Sequence, residues 1–109
     1  MLEIRHYTTS GGKDVFESWL AGLSEDRAEA RIDARINRLT QGNFGDCKPV
    51  GGGVWELRID YGPGYRVYYA TIGRACVLLL CGGDKRKQST DIAKAIQYLN
   101  DYKQRSSSQ

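Results

Sequence analysis

Apolar and polar positions alternate with a period that changes several times along the chain, and each change marks an element. Leu2, Ile4 and His6 alternate with Glu3, Arg5 and Tyr7, which predicts a short strand. Turn residues follow over Thr8–Gly12. Val15, Phe16, Trp19, Leu20 and Leu23 then recur at helical spacing, predicting an amphipathic helix over Lys13–Gly22. Ser24 fits the N-cap of a second helix, with Glu25 and Asp26 in the first turn, where the helix dipole favours anions. Ala28, Ile32, Ile36 and Leu39 line one face of that helix, and Gly42 is a natural stop after Gln41. The two form an αα-hairpin.

From Asp46 the period becomes two. Trp55, Leu57 and Ile59 alternate with Glu56, Arg58 and Asp60, and Tyr65, Val67 and Tyr69 alternate with Arg66, Tyr68 and Ala70. Between them Tyr61-Gly62-Pro63-Gly64 is a turn signal, so the two runs make a hairpin. Ala75–Cys81 is continuously apolar, as a central strand covered on both faces would be, and Gly82-Gly83-Asp84 is expected to end it. Ile92, Ala95, Ile96, Leu99 and Tyr102 mark a last helix from about Ser89 to Tyr102. The order is strand, two helices, three or four antiparallel strands, helix: an α+β domain over residues 1–105, with a disordered polar tail over 106–109.

Composition narrows the class. An apolar share of 40% is too high for a wholly disordered chain, and the longest apolar run, Ala75–Cys81, is far short of the roughly 18 residues a membrane helix needs. The N-terminus lacks a basic stretch followed by an apolar core, so no signal peptide is expected. Three cysteines, Cys47, Cys76 and Cys81, without CxxC spacing suit a reducing cytoplasm better than a disulfide framework or a zinc site. Charge is uneven. Residues 1–53 hold seven Lys/Arg and eight Asp/Glu, a net of −1; residues 54–109 hold nine and five, a net of +4. A basic half points to an anionic partner, nucleic acid being the commonest.

The hairpin puts Glu56, Arg58, Asp60, Arg66 and Tyr68 on one face, opposite Trp55, Leu57 and Val67. Two arginines close across a sheet repel, so an anion must offset them: Glu56 and Asp60 in part, a bound phosphate for the rest. A solvent-facing surface with charge pairs would account for the same residues. Lys85, Arg86 and Lys87 add three cations just past the central strand. The single histidine, His6, is in phase with Leu2 and Ile4 and reads as a half-buried structural residue. No phosphate-loop, GxSxG or metal-ligand spacing is present, so no cofactor or metal is expected. What remains is binding or chemistry on phosphate carried by arginine and lysine, with Tyr61, Tyr65 and Tyr68 as candidate stacking faces for bases.

The run Trp55-Glu56-Leu57-Arg58-Ile59-Asp60-Tyr61-Gly62-Pro63-Gly64-Tyr65-Arg66-Val67-Tyr68-Tyr69, followed by Leu78-Leu79-Leu80-Cys81-Gly82-Gly83-Asp84-Lys85, resembles the addiction-module killer proteins, the HigB-like branch of the RelE/ParE toxin superfamily. The resemblance implies an antiparallel sheet packed with an αα-hairpin and a C-terminal helix. It also implies a cognate helix-turn-helix antitoxin as partner, and either ribosome-dependent mRNA cleavage, as in RelE-like members, or gyrase inhibition, as in ParE-like ones. A non-toxic RNA-binding domain is the third reading. By the same resemblance Arg66 matches the arginine that contacts the scissile phosphate and Lys85 a basic position after the last strand. The expected catalytic set is Glu56 as base, Arg58 and Arg66 as phosphate stabilisers and Lys85 as stabiliser or proton donor. Tyr61, Tyr65, Tyr68, Arg86 and Lys87 are expected to bind the substrate. The family's terminal catalytic histidine or tyrosine has no clear counterpart.

Overall fold

The computed structural model describes residues 1–107. The elements run β1 (Glu3–His6), α1 (Val15–Ala21), α2 (Asp26–Thr40), β2 (Cys47–Gly51), β3 (Val54–Ile59), β4 (Tyr65–Ile72), β5 (Cys76–Asp84), a 3-10 turn (Lys85–Lys87) and α3 (Gln88–Ser107). Five strands form one sheet in the order β1-β5-β4-β3-β2. The β2–β3, β3–β4 and β4–β5 ladders are antiparallel, as expected, but β1 lies parallel to β5, pairing Glu3 with Cys76 and His6 with Leu79. The sheet is therefore mixed. β1 occupies the edge of β5 left free by the hairpins, and so satisfies ladder groups that would otherwise be exposed beside the most apolar strand.

Both faces of the sheet are covered. Phe16 and Leu20 of α1 and Ile32 and Leu39 of α2 pack on Leu57, Ile59, Val67, Tyr69, Val77 and Leu79. Ala95 and Leu99 of α3 pack on Val54, Tyr68, Ala70, Leu78 and Leu80 of the opposite face. The unbroken apolar run in β5 follows from this: successive side chains point to opposite faces and each finds a helix. It also corrects the expectation of an open polar face, because α3 buries Glu56 and Tyr68 completely. Trp55, expected to be packed, is 37% exposed; it borders a shallow hollow with Phe44, Cys47, Tyr69 and Thr71, with no helix over it.

Three local expectations change. The N-cap of α2 is Glu25, not Ser24, and its side chain makes no capping bond; instead it accepts a hydrogen bond from the Tyr61 hydroxyl. Gly82 and Gly83 do not end β5 but lie inside it. A methyl group at Gly82 would overlap the Trp19 ring, and one at Gly83 would overlap Asp91 Oδ2, so both glycines serve close packing rather than a turn. Ser106 and Ser107, read as part of a tail, continue α3; positions 108–109 of that tail lie outside the described residues. Among the described residues no helix is long and apolar enough to cross a membrane.

Candidate active site

Register decides which side chains meet. Arg58 stands opposite Arg66, and Arg66 opposite Gly83, in one row across β3, β4 and β5. The next row places Glu56 opposite Tyr68 and Tyr68 opposite Cys81. α3 starts over this second row and reaches the first only at Gly83, where Asp91 packs, leaving Arg58 and Arg66 beyond its cover. The boundary between core and surface therefore falls between Glu56 and the two arginines.

Glu56 is 0% exposed, yet saturated with donors. Gln88, the first residue of α3, donates to its Oε2 at 2.7 Å, and the Tyr68 hydroxyl donates to the same oxygen at 3.1 Å. Arg58 donates from Nε to Oε1 at 3.2 Å, and Arg66 Nε lies 3.7 Å from Oε1. One buried carboxylate thus sets the direction of two guanidinium groups, which is how a buried charge is tolerated. Burial, followed by the neighbouring Glu56 charge, pushes the Tyr68 phenol well above its ordinary value, so it stays a neutral donor.

Arg66 is 12% exposed and turns back onto the hairpin, donating from Nη1 to the carbonyls of Gly64 at 3.1 Å and Tyr65 at 3.2 Å. Among the described residues its Nε, though buried, has no hydrogen-bond partner. Gly64 takes φ +83°, open to glycine at no steric cost, and its carbonyl also accepts the Lys85 backbone N–H at 3.0 Å. The β3–β4 turn and the end of β5 are thereby clipped together, and Lys85 comes beside the arginines.

The result is a cleft of about 400 Å³ lined by Asp46, Arg58, Asp60, Gly62, Pro63, Gly64, Arg66 and Lys85. Three cations with two carboxylates, walled by a Gly-Pro-Gly turn, form a concavity fitted to an anion such as a phosphodiester. A guanidinium fork matches paired phosphate oxygens; Arg58 spends Nε on Glu56, whereas Arg66 spends Nη1 on two carbonyls.

A family model described as "Phage derived protein Gp49-like (DUF891)" matches residues 18–101, which contain every residue of this cleft. The chain belongs to the Gp49-like family. An uncharacterized protein of Haemophilus influenzae (strain ATCC 51907 / DSM 11121 / KW20 / Rd) is 56% identical over 81 residues, covering 74% of this chain and 82% of its own.

In this Gp49-like chain the expected site residues separate into groups. Arg58, Arg66 and Lys85 converge in the cleft, while Glu56 lies beneath it rather than among its lining residues. Arg86 and Lys87 are exposed on the 3-10 turn but do not line the cleft. Arg86 is held by Asp84, with Nη2 to Oδ2 at 2.9 Å and Nε to Oδ1 at 3.3 Å, and this bond holds the Asp84 carboxyl below its ordinary range.

The three tyrosines do not offer stacking faces to the cleft. Tyr68 is fully buried under α3. The Tyr65 ring packs toward the helical hairpin, edge-on to Trp19 at 6.1 Å. Tyr61 donates to Glu25 and carries the Arg31 guanidinium over its ring at 4.7 Å.

Two lining carboxylates were not picked out as site residues. Asp60 was visible on the polar phase of β3. Asp46 enters because its carbonyl accepts from the Arg58 N–H at 2.9 Å, which extends the β2–β3 ladder by one residue; recognising β2 as a strand would have been the signal.

Proposed function

We propose that this protein is the toxin of a type II toxin–antitoxin module and cuts mRNA held on the ribosome. The observation that carries the reading is the convergence of Arg58, Arg66 and Lys85 in one cleft, with the two arginines aimed by a buried carboxylate. A surface that only bound a partner would not need such a concavity. The relation of the Gp49 family to HigB and RelE toxins agrees with it.

The reaction is attack of a ribose 2′-hydroxyl on the adjacent phosphorus. The P–O5′ bond breaks, leaving a 2′,3′-cyclic phosphate and a 5′-hydroxyl end. Charge builds on the non-bridging oxygens as the phosphorane forms, where Arg66 and Arg58 donate. Lys85, at the rim, stabilises or protonates the leaving oxygen. Glu56 acts through the arginines it aims, and the proton acceptors with access to the cleft are Asp46 and Asp60. A cleft this open holds RNA loosely. The ribosome then supplies alignment, an effect that can lower a barrier by about 7–11 kcal/mol. A neighbouring helix-turn-helix antitoxin is the partner that would silence the free protein.

The test is to map mRNA 5′ ends after induction in a bacterial host. New ends within translated frames support the reading. Growth arrest with intact mRNA and inhibited gyrase would replace it with the gyrase-directed one.

A further inference from the structure

The charges of α2 are sorted by sign. Arg27, Arg31, Arg35 and Arg38 fall within a single arc of the helix, and Asp26, Glu29 and Asp33 fall on the opposite flank of its buried stripe of Ala28, Ile32 and Leu39. Every charged pair at i,i+3 or i,i+4 within the helix is therefore like-signed: Arg27–Arg31, Arg31–Arg35, Arg35–Arg38, Asp26–Glu29 and Glu29–Asp33. Such pairs weaken a helix. α3 shows the ordinary arrangement, with Asp101 and Arg105 bonded at 2.9 Å one turn apart. Among the described residues none of the four α2 arginines has a carboxylate within ion-pair distance.

Arg35 has a structural task, donating to the carbonyls of Arg58 and Phe44. Arg31 lies over Tyr61. Arg27 and Arg38 are exposed, and among the described residues neither side chain donates to a carbonyl or lies over a ring. The arginine flank opens on a hollow of about 250 Å³ lined by Arg31, Ala34, Arg35, Arg38, Ile59 and Asp60. Asp60 also lines the cleft, so hollow and cleft adjoin.

We infer that the arginine flank of α2 is a second anion-binding track, continuous with the cleft, that grips the phosphodiester backbone of RNA beyond the cutting site. The inference rests on the nuclease reading for the identity of the polyanion. Arg27 to Arg38 spans about 16 Å along the helix axis, long enough for several consecutive phosphates rather than one small anion. Contacts of this kind set position and affinity without reading sequence. With Arg35 held by carbonyls, Arg27, Arg31 and Arg38 remain, and arginine rather than lysine suits phosphate forks.

The experiment uses the full chain and two double variants, R27Q/R38Q and, on the other flank, D26N/D33N. Binding is read by anisotropy on a short labelled single-stranded RNA and by cosedimentation with vacant ribosomes, each across a salt series. Loss of two phosphate contacts should make the slope of log K against log salt shallower by about 1.4 on single-stranded RNA, at about 0.7 per contact. In cleavage of ribosome-loaded mRNA, R27Q/R38Q should raise KM and leave kcat unchanged. A shift in the RNA arm identifies the substrate strand as the occupant; a shift in the ribosome arm alone identifies ribosomal RNA. Unchanged slopes in both arms overturn the inference, as does an equal shift in D26N/D33N. So does a defect confined to binding an acidic protein partner. If the wild-type chain cuts no mRNA but the slope shift persists, the nuclease reading fails and the track stands.

Discussion

Gln88, the first residue of α3, donates a 2.7 Å hydrogen bond to Glu56 in the middle of β3. This bond ties the docking of the last helix to the carboxylate that aims Arg58 and Arg66. Removing it with Gln88→Ala should cost about 1.5–3 kcal/mol, the range for hydrogen bonds to charged groups. Glu56→Gln should cost more, about 3 kcal/mol or above, because it strips the countercharge from a buried guanidinium. Chemical denaturation of both variants checks the order. A Glu56→Gln protein as stable as wild type would show that the carboxylate is not needed to hold the arginines.

Gly83 has no room for a side chain, because the Asp91 carboxylate occupies the place of its Cβ. Gly83→Ala should destabilise the fold by about 1–3 kcal/mol through overpacking. Pairing it with Asp91→Gly should recover much of that loss, since residues in contact are not additive. Simple additivity in thermal melts would contradict the packing described.

Phenols set the alkaline limit of the fold. Burial, with a 2.7 Å hydrogen bond to Asp101, pushes Tyr7 up to about 12 from an ordinary 10. Burial raises Tyr68 and Tyr69 in the same direction. For a group raised in the folded state, the stabilisation is complete below the unfolded value and is lost as pH climbs through the folded one. These phenols therefore contribute constant stability up to about pH 10, and that contribution falls as pH rises toward 12 and beyond. Urea titrations at stepped alkaline pH measure it, and Tyr7→Phe should flatten part of the decline.

The thiols should react in order of exposure. Cys81 is buried and pushed up to about 12 by that burial, and Cys76 is raised for the same reason. Cys47 is only partly buried. Maleimide near neutral pH should label Cys47 first and Cys81 last, because the thiolate is the reactive form. Early labelling of Cys81 in the folded protein would mean that α3 opens readily.

Periodicity made most of the fold legible, because each switch between periods of two and of about 3.6 coincides with a real boundary. That Arg58 and Arg66 share a face could be read from the hairpin, whereas the choice of Arg66 over Tyr68 as the residue opposite Arg58 comes from the structure. Two things could not be read. The parallel seat of β1 depends on a contact between chain ends, and no local pattern encodes it. The cover of α3 over Glu56 and Tyr68 was hidden because buried polar residues that satisfy each other look like a solvent-facing row. The same blindness promoted Tyr68 to a stacking surface and placed Glu56 in the cleft rather than under it. Asp46 was missed because β2, with Pro49 and a register shift before Gly51, carries a weak strand pattern.

The central claim is that the Arg58–Arg66–Lys85 cleft performs chemistry on RNA, and Arg66 tests it most directly. Arg66→Ala opens no apolar cavity and leaves Arg58, Tyr68 and Gln88 bonded to Glu56, so the protein should fold, with a lower melting temperature than wild type. Removing a preorganised donor to the phosphorane should slow cleavage by about 10²–10³-fold. Arg66→Lys should recover only part, since an ammonium keeps the charge without the fork. The measurement is mRNA cleavage in a reconstituted translation reaction, beside a thermal melt of each variant. The account predicts folded Arg66→Ala protein with cleavage reduced by that factor and growth inhibition abolished. Wild-type cleavage by folded Arg66→Ala protein would contradict it.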